Sequence, residues 1–445
     1  MTTMARMRPV RAALAACALV AACASPTSPA SPAATPTDPV PYLDDVTFRR
    51  ADLEASIVNP QNAYSQLRLD HYATGTASDW DQLPEWNPAT ELLAANELDA
   101  PGGASTTAFR STPSALVLPA SVASEDDPAL IALGKEAFAR YPAQLAPYLR
   151  VGLTSRDAAA QYGLWTDAGR GVGGLVRAKM ADGSAEIALT CSSCHAAPNA
   201  GAIDDGLPNA QLDIGAAILK SPGGPSDPAT SAAIAAWGPG RLDVTTAEGN
   251  YPVRIPDLRP VSWLTYLHQE GTLRQQDRTA LAIRIETLII TSSGQVLRPP
   301  RMIALALAAY VSSLAAALPS ASAAAASQPR GAQLFASSCA PCHAMPGFTG
   351  DPVPLATVGT DPWLGESPDR GTGAYRVPSL HGVGSRGPLL HDATVASVAD
   401  LLDPVRPTAA FTGKLHGTGA VAGHLYGLEL SDADRAALVA YVEAL

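Results

Sequence analysis

Charge is scarce in this chain, and cysteine scarcer. Only 16% of the 445 residues are charged, and the balance is acidic, with 30 Lys and Arg against 41 Asp and Glu. A net charge of −11 speaks against nucleic acid or anionic lipid headgroups as partners and suits a basic protein instead. The N-terminal apolar run, Ala12 to Ala22, is too short to cross a bilayer. Hydrophobic residues nevertheless reach 47%, which excludes a disordered chain. The abundance of Ala favours helices, and the length allows two domains with cores of their own.

The N-terminus carries an export signal. Arg6, Arg8 and Arg11 precede the apolar run, and Val20-Ala21-Ala22-Cys23 follows its end. Small residues before a cysteine resemble a bacterial lipobox, with Cys23 the lipidated first residue of the mature chain. Leu14-Ala15-Ala16-Cys17 fits the same pattern, but with a shorter apolar run, and an ordinary cleaved signal is the alternative. Residues 24–41 are rich in Pro, Ser, Thr and Ala and read as an extended tether. The expected location is periplasmic or at the cell surface, anchored to a membrane by the lipid.

The four remaining cysteines fall in two identical patterns. They are Cys191-Ser-Ser-Cys194-His195 and Cys339-Ala-Pro-Cys342-His343. This is the attachment signature of c-type heme: two thiols three apart form thioethers with the heme vinyl groups, and the next His ligates the iron. A closed zinc site or a redox disulfide would not need the adjacent His. Two covalently attached heme c groups are therefore expected.

The motifs lie 148 residues apart, and other segments repeat with them. Arg254-Ile-Pro-Asp-Leu258 matches Arg376-Val-Pro-Ser-Leu380. His268 and His391 follow at similar distances. Leu307-Ala-Ala-Tyr310-Val-Ser-Ser-Leu314 matches Leu438-Val-Ala-Tyr441-Val-Glu-Ala-Leu445, each an amphipathic helix with an apolar face. Gly331 to Phe335 resembles the first helix of a small cytochrome c, and Leu133 to Phe138 reads as its counterpart. Leu175–Met180 and Ala185–Thr190 flank Asp182-Gly183, which predicts a β-hairpin. The expected fold is mainly α: two cytochrome c-type heme domains from an internal duplication, with a β-hairpin inserted in the first. Residues 42–320 would hold an N-terminal extension plus heme domain one, and 330–445 heme domain two. Residues 42–125 carry no clear pattern.

Over roughly residues 130–445 the chain resembles the bacterial di-heme cytochrome c peroxidase superfamily, which includes methylamine-utilisation di-heme enzymes and di-heme rubber oxygenases. The resemblance rests on both heme motifs, on Tyr375-Arg-Val-Pro-Ser-Leu380 and on Leu390-His-Asp-Ala-Thr394. Trp237 to Asp243 and Gly423-His424-Leu-Tyr-Gly427 look closer to the oxygenase-like branch. It implies a reactive N-terminal heme and a six-coordinate C-terminal heme that relays electrons. Family peroxidases usually give the latter a Met ligand. Here no Met follows Met345, which lies two residues past His343.

Beyond His195 and His343, six histidines remain. His268 and His391 share a repeat position and an expected common role, bonding a heme propionate or ligating iron. His424 is the favoured sixth ligand of heme two, with His416 the runner-up. Heme one would then be open to hydrogen peroxide or oxygen, unless His268 or His71 closes it. Trp237 and Trp263 are candidates for a distal wall or inter-heme path. His268 and Glu270, two residues on, are the catalytic candidates. Three functions follow: a peroxidase-like redox enzyme, a membrane-tethered electron carrier serving a redox partner protein, and, less well matched in length, oxidation of an organic polymer.

Overall fold

The computed structural model describes residues 40–243 and 250–445. The signal, the tether, Cys17 and Cys23 lie outside them. Seven helices frame the described chain: α1 (Val46–Ser56), α2 (Ala63–His71), α3 (Pro128–Arg140), α4 (Arg278–Ser292), α5 (Arg301–Ser313), α6 (Pro329–Ser338) and α7 (Asp432–Glu443). Local chemistry sets where several begin. Asp45, Asn62, Asp127, Asp277 and Ser431 each accept a first-turn backbone N–H, the usual answer to the unpaired donors of a helix start.

The same helix crossing occurs in each half. In the first, α3 meets α5 at Gly134, where a Cβ would lie 1.9 Å from the Ala306 carbonyl oxygen. In the second, α6 meets α7 at Gly331, where a Cβ would lie 2.2 Å from the Ala437 oxygen. Only glycine allows backbones so close. One turn along, Phe138 meets Tyr310 edge-to-face at 5.5 Å, and Phe335 meets Tyr441 at 5.4 Å.

The two closing helices differ in one respect. α7 keeps a solvent face and buries Leu438, Tyr441 and Val442, as its periodicity predicts. α5 is buried at every position from Ile303 to Val311 rather than along one stripe. The N-terminal region covers its other side. Glu286 on α4 accepts the hydroxyls of Tyr42 (2.8 Å) and Tyr72 (2.7 Å), docking that region on the core. The stretch Arg301–Ser327 is apolar and long enough to cross a membrane, but half of its most apolar window is buried in the protein and α5 is its core portion.

The predicted hairpin is present. β3 (Leu175–Lys179) and β4 (Ala185–Leu189) pair antiparallel, Leu175 opposite Leu189. Two short strands extend it, β1 (Thr90–Leu92) beside β3 and β2 (Gln144–Leu145) beside β4. Arg177 on β3 is fully buried and bonds Glu91 at 2.8 Å and also Glu97.

The halves form one compact unit from Pro39 to Leu445. Backbone bonds cross the seam reciprocally. Arg254 N–H donates to the His391 carbonyl (3.0 Å), and Arg376 N–H donates to that of Gln269 (2.9 Å). The two Arg-x-Pro segments thus each grip the loop that carries the other half's repeat histidine.

Candidate heme sites

Each Cys-x-x-Cys-His segment is held by the element before it. In the first half, β4 feeds directly into Thr190, and the short helix Cys191–His195 follows. Thr190 and Ser193 hydroxyls both donate to the Gly174 carbonyl, tying the motif to the base of β3. The Asn209 and Gly206 N–H groups take up the Cys194 and His195 carbonyls. In the second half, α6 runs into the motif, and His343 N–H closes a turn on the Cys339 carbonyl at 2.9 Å. All four cysteines are free and partly buried. Burial pushes the Cys191 and Cys194 thiols up to about 12, so they are neutral at pH 7.

Both motif histidines are oriented alike. His195 Nδ1 bonds the Pro256 carbonyl at 3.0 Å, and His343 Nδ1 bonds the Phe348 carbonyl at 3.0 Å. Such a bond fixes the tautomer and leaves Nε2 for a metal. Burial lowers both pKa values to about 4, keeping the imidazoles neutral.

Beside His343 opens a cavity of about 520 Å³, within the usual range of roughly 300–1,000 Å³ for cofactor pockets. Its walls include Cys339, Cys342, His343, His391, His424 and Tyr426. The His343 and His424 ring centres are 6.5 Å apart. An iron between two imidazoles needs about 2 Å to each nitrogen plus roughly 1 Å more to each ring centre, a total near 6 Å. His424 Nδ1 is buried without a partner, and burial lowers its pKa to about 4. The residues present fit a heme with a His on each face.

His424 is held by a device that sequence reading did not find. Arg406 is fully buried, and its guanidinium donates to the carbonyls of Leu401, Val421, Gly423 and His424 at 2.8–2.9 Å. His424 N–H donates to Val358 O at 2.7 Å. His424 itself has a left-handed backbone (φ +45°), and a Cβ on Gly423 would strike Thr360 N at 2.2 Å.

The other candidates are placed as follows. His416 is absent from the cavity wall and lies against Gly238. His391 is in the wall, stacked on Tyr375 at 4.2 Å, with Nε2 3.2 Å from the tyrosine hydroxyl. Met345 is 72% exposed, away from any ligand position. Trp237 is buried in a core cluster of the first half. Trp263 is 38% exposed and leans on His381 at 5.1 Å. His71 stacks on Trp80 and bonds the Ser78 carbonyl.

His268 and Glu270 do come together, with Nδ1 3.8 Å from the carboxylate. His268 Nε2 accepts a bond from Arg284, so it is already engaged and would have to release Arg284 to ligate iron. Burial first, then Arg284, Arg370, Arg68 and Arg376, hold the His268 pKa well below its ordinary value. Gln269, between His268 and Glu270, stands in the wall of the cavity beside His343. Tyr64, on α2 of the N-terminal extension, meets His268 edge-to-face at 4.9 Å. No sequence pattern pointed to that contact. Among the described residues no three His, Cys, Asp or Glu side chains gather as a protein-only metal site.

Comparison with known proteins agrees with the second half. No curated protein matches the chain. Among solved structures, a MauG-like protein associated with microbial copper homeostasis aligns over 47% of this chain and 78% of its own, at 17% identity and a TM-score of 0.32. That likeness is too remote to fix a shared architecture. Residues 329–445 match the cytochrome c family. The C-terminal part of the chain is therefore a cytochrome c domain, and its work is heme binding and electron transfer.

Proposed function

We propose that the chain is a di-heme c-type cytochrome built by duplication, with a reactive heme one and an electron-relaying heme two. Cys191, Cys194 and His195 hold the first heme. Cys339, Cys342 and His343 hold the second, with His424 as its sixth ligand. The observation that carries this reading is the pair His343 and His424, ring centres 6.5 Å apart in the wall of one largely apolar cavity. The repeated glycine crossing and Phe–Tyr pair support the duplication.

When bound, the hemes supply one-electron redox chemistry and, where a position is open, a site for peroxide or oxygen. The chain's own residues then divide the labour. His424, clamped by Arg406, closes the second site against small ligands. Near the first, His268 and Glu270 are the candidates for proton transfer once Arg284 releases His268, with Glu270 accepting from Thr272 at 2.7 Å. Export with lipid attachment at Cys23, and a basic redox partner, complete the proposal.

The test is low-temperature EPR of the oxidised protein with optical spectra before and after hydrogen peroxide. A high-spin ferric signal beside a low-spin one, with the high-spin site consumed by peroxide, is the expected result. Two low-spin signals indifferent to peroxide, before and after one-electron reduction, would leave a tethered electron carrier instead.

A further inference from the structure

Three arginines stand in the wall of the second-heme cavity: Arg254, Arg376 and Arg386. In each, Nε is buried and has no hydrogen-bond partner. A buried donor left unpaired is costly, the more so when charged, so three in one cavity wall call for an acceptor. The nearby carboxylates do not supply it. Asp257 is engaged by Arg259 at 2.7 Å and stays 4.0 Å from Arg386. Glu270 takes the Thr272 hydroxyl. The rest of the wall is largely apolar, with Phe335, Val353, Leu380 and Leu389.

Two of the three are held in place by other atoms of the same guanidinium. Arg254 Nη1 donates to the Pro388 carbonyl at 3.1 Å, and Arg386 Nη2 donates to that of Ser379. Arg254 is the outlier in origin. It belongs to the first half, reaches across the seam, and is fastened there by its own N–H to His391. A heme is an apolar disc whose strong acceptors are two propionate carboxylates. A planar guanidinium fork is the side chain best matched to a carboxylate.

We propose that Arg254, Arg376 and Arg386 form a carboxylate clamp for the propionates of the second heme, with Arg254 supplied by the opposite half. This rests on the di-heme reading. A cation at the propionates favours the reduced iron, which carries one positive charge fewer. The docking of the halves thus helps set the potential of the second heme.

The test is spectroelectrochemical titration of the holoprotein, with heme content measured first. Arg254→Gln is expected to lower the midpoint potential of the low-spin heme and leave its low-spin EPR signal in place. Arg254→Lys should restore part of the shift, since it returns the charge without the planar fork. Arg376→Gln, at a side chain that fastens no backbone carbonyl, should move the potential the same way and guards against misfolding of the first variant. Added acetate should leave the wild-type potential alone. An unmoved potential in both Gln variants, with two hemes present, would sink the clamp. A wild-type potential that tracks added acetate would assign the site to a free carboxylate and overturn the propionate assignment. A protein that carries fewer than two hemes would instead sink the di-heme reading itself.

Discussion

At the scale of single residues, two side chains decide most. Arg406 gathers four carbonyls that would otherwise be buried acceptors without donors. Arg406→Leu is expected to cost about 2–4 kcal/mol in urea denaturation. On the proposed ligation it should also convert part of the second heme from low to high spin, measurable by EPR. Asp52 is the opposite case, a residue that weakens the fold at neutral pH. Burial first, then Asp277 and Glu125, push its carboxyl up to about 6. An acid whose folded pKa exceeds its unfolded value of about 3.9 stabilises the fold below that value, and the contribution is lost as pH rises through 6. Asp52→Asn should therefore raise stability at pH 7–8 by on the order of 1 kcal/mol, after allowance for partial exposure, and give no gain near pH 4. Thermal melts across that range would show it. The two Cys-x-x-Cys-His motifs were legible because thioether chemistry fixes such a spacing. Arg406 was not, since a loop arginine has no periodicity and its four partners lie up to 18 residues away.

At the scale of elements, the glycine crossings are the critical contacts. Gly331→Leu would drive a side chain into Ala437 O and Tyr441 Cβ, the latter 2.5 Å from the glycine's would-be Cβ. The expected cost is above about 3 kcal/mol, read by denaturant titration; on the proposed di-heme ligation the heme-two low-spin signal would be lost before heme one changes. Helix α6 was readable from Gly331 to Phe335, and α3 from Leu133 to Phe138, because glycine and aromatic recur at a fixed offset. The hairpin was readable from Asp182-Gly183 between two apolar runs. Strands β1 and β2 were not, being two or three residues long and paired with segments far along the chain. The all-round burial of α5 was equally hidden, since its apolar stripe says nothing of a second cover.

At the scale of the whole molecule, the halves are stapled rather than merely adjacent. Besides the two reciprocal backbone bonds, Arg241 Nη1 donates to Asp392 O, Thr265 Oγ1 to Gly350 O and Tyr64 N to Asp369 O. Cleavage of the connection between α5 and α6 should therefore leave both fragments co-migrating in gel filtration under native conditions and parting only in denaturant. Separate fragments without denaturant would mean the seam is weaker than its bonds suggest. Matching segments are visible in the sequence but this seam is not, because Arg254 and His391 are linked by no local pattern.

The seam also has a consequence in time. A chain is made from its N-terminus, so Arg254 exists well before the His391 carbonyl it must grip. Until the last segment arrives, the Arg254 N–H has no such acceptor and the two halves stay unlatched. Docking must therefore wait for the end of the polypeptide.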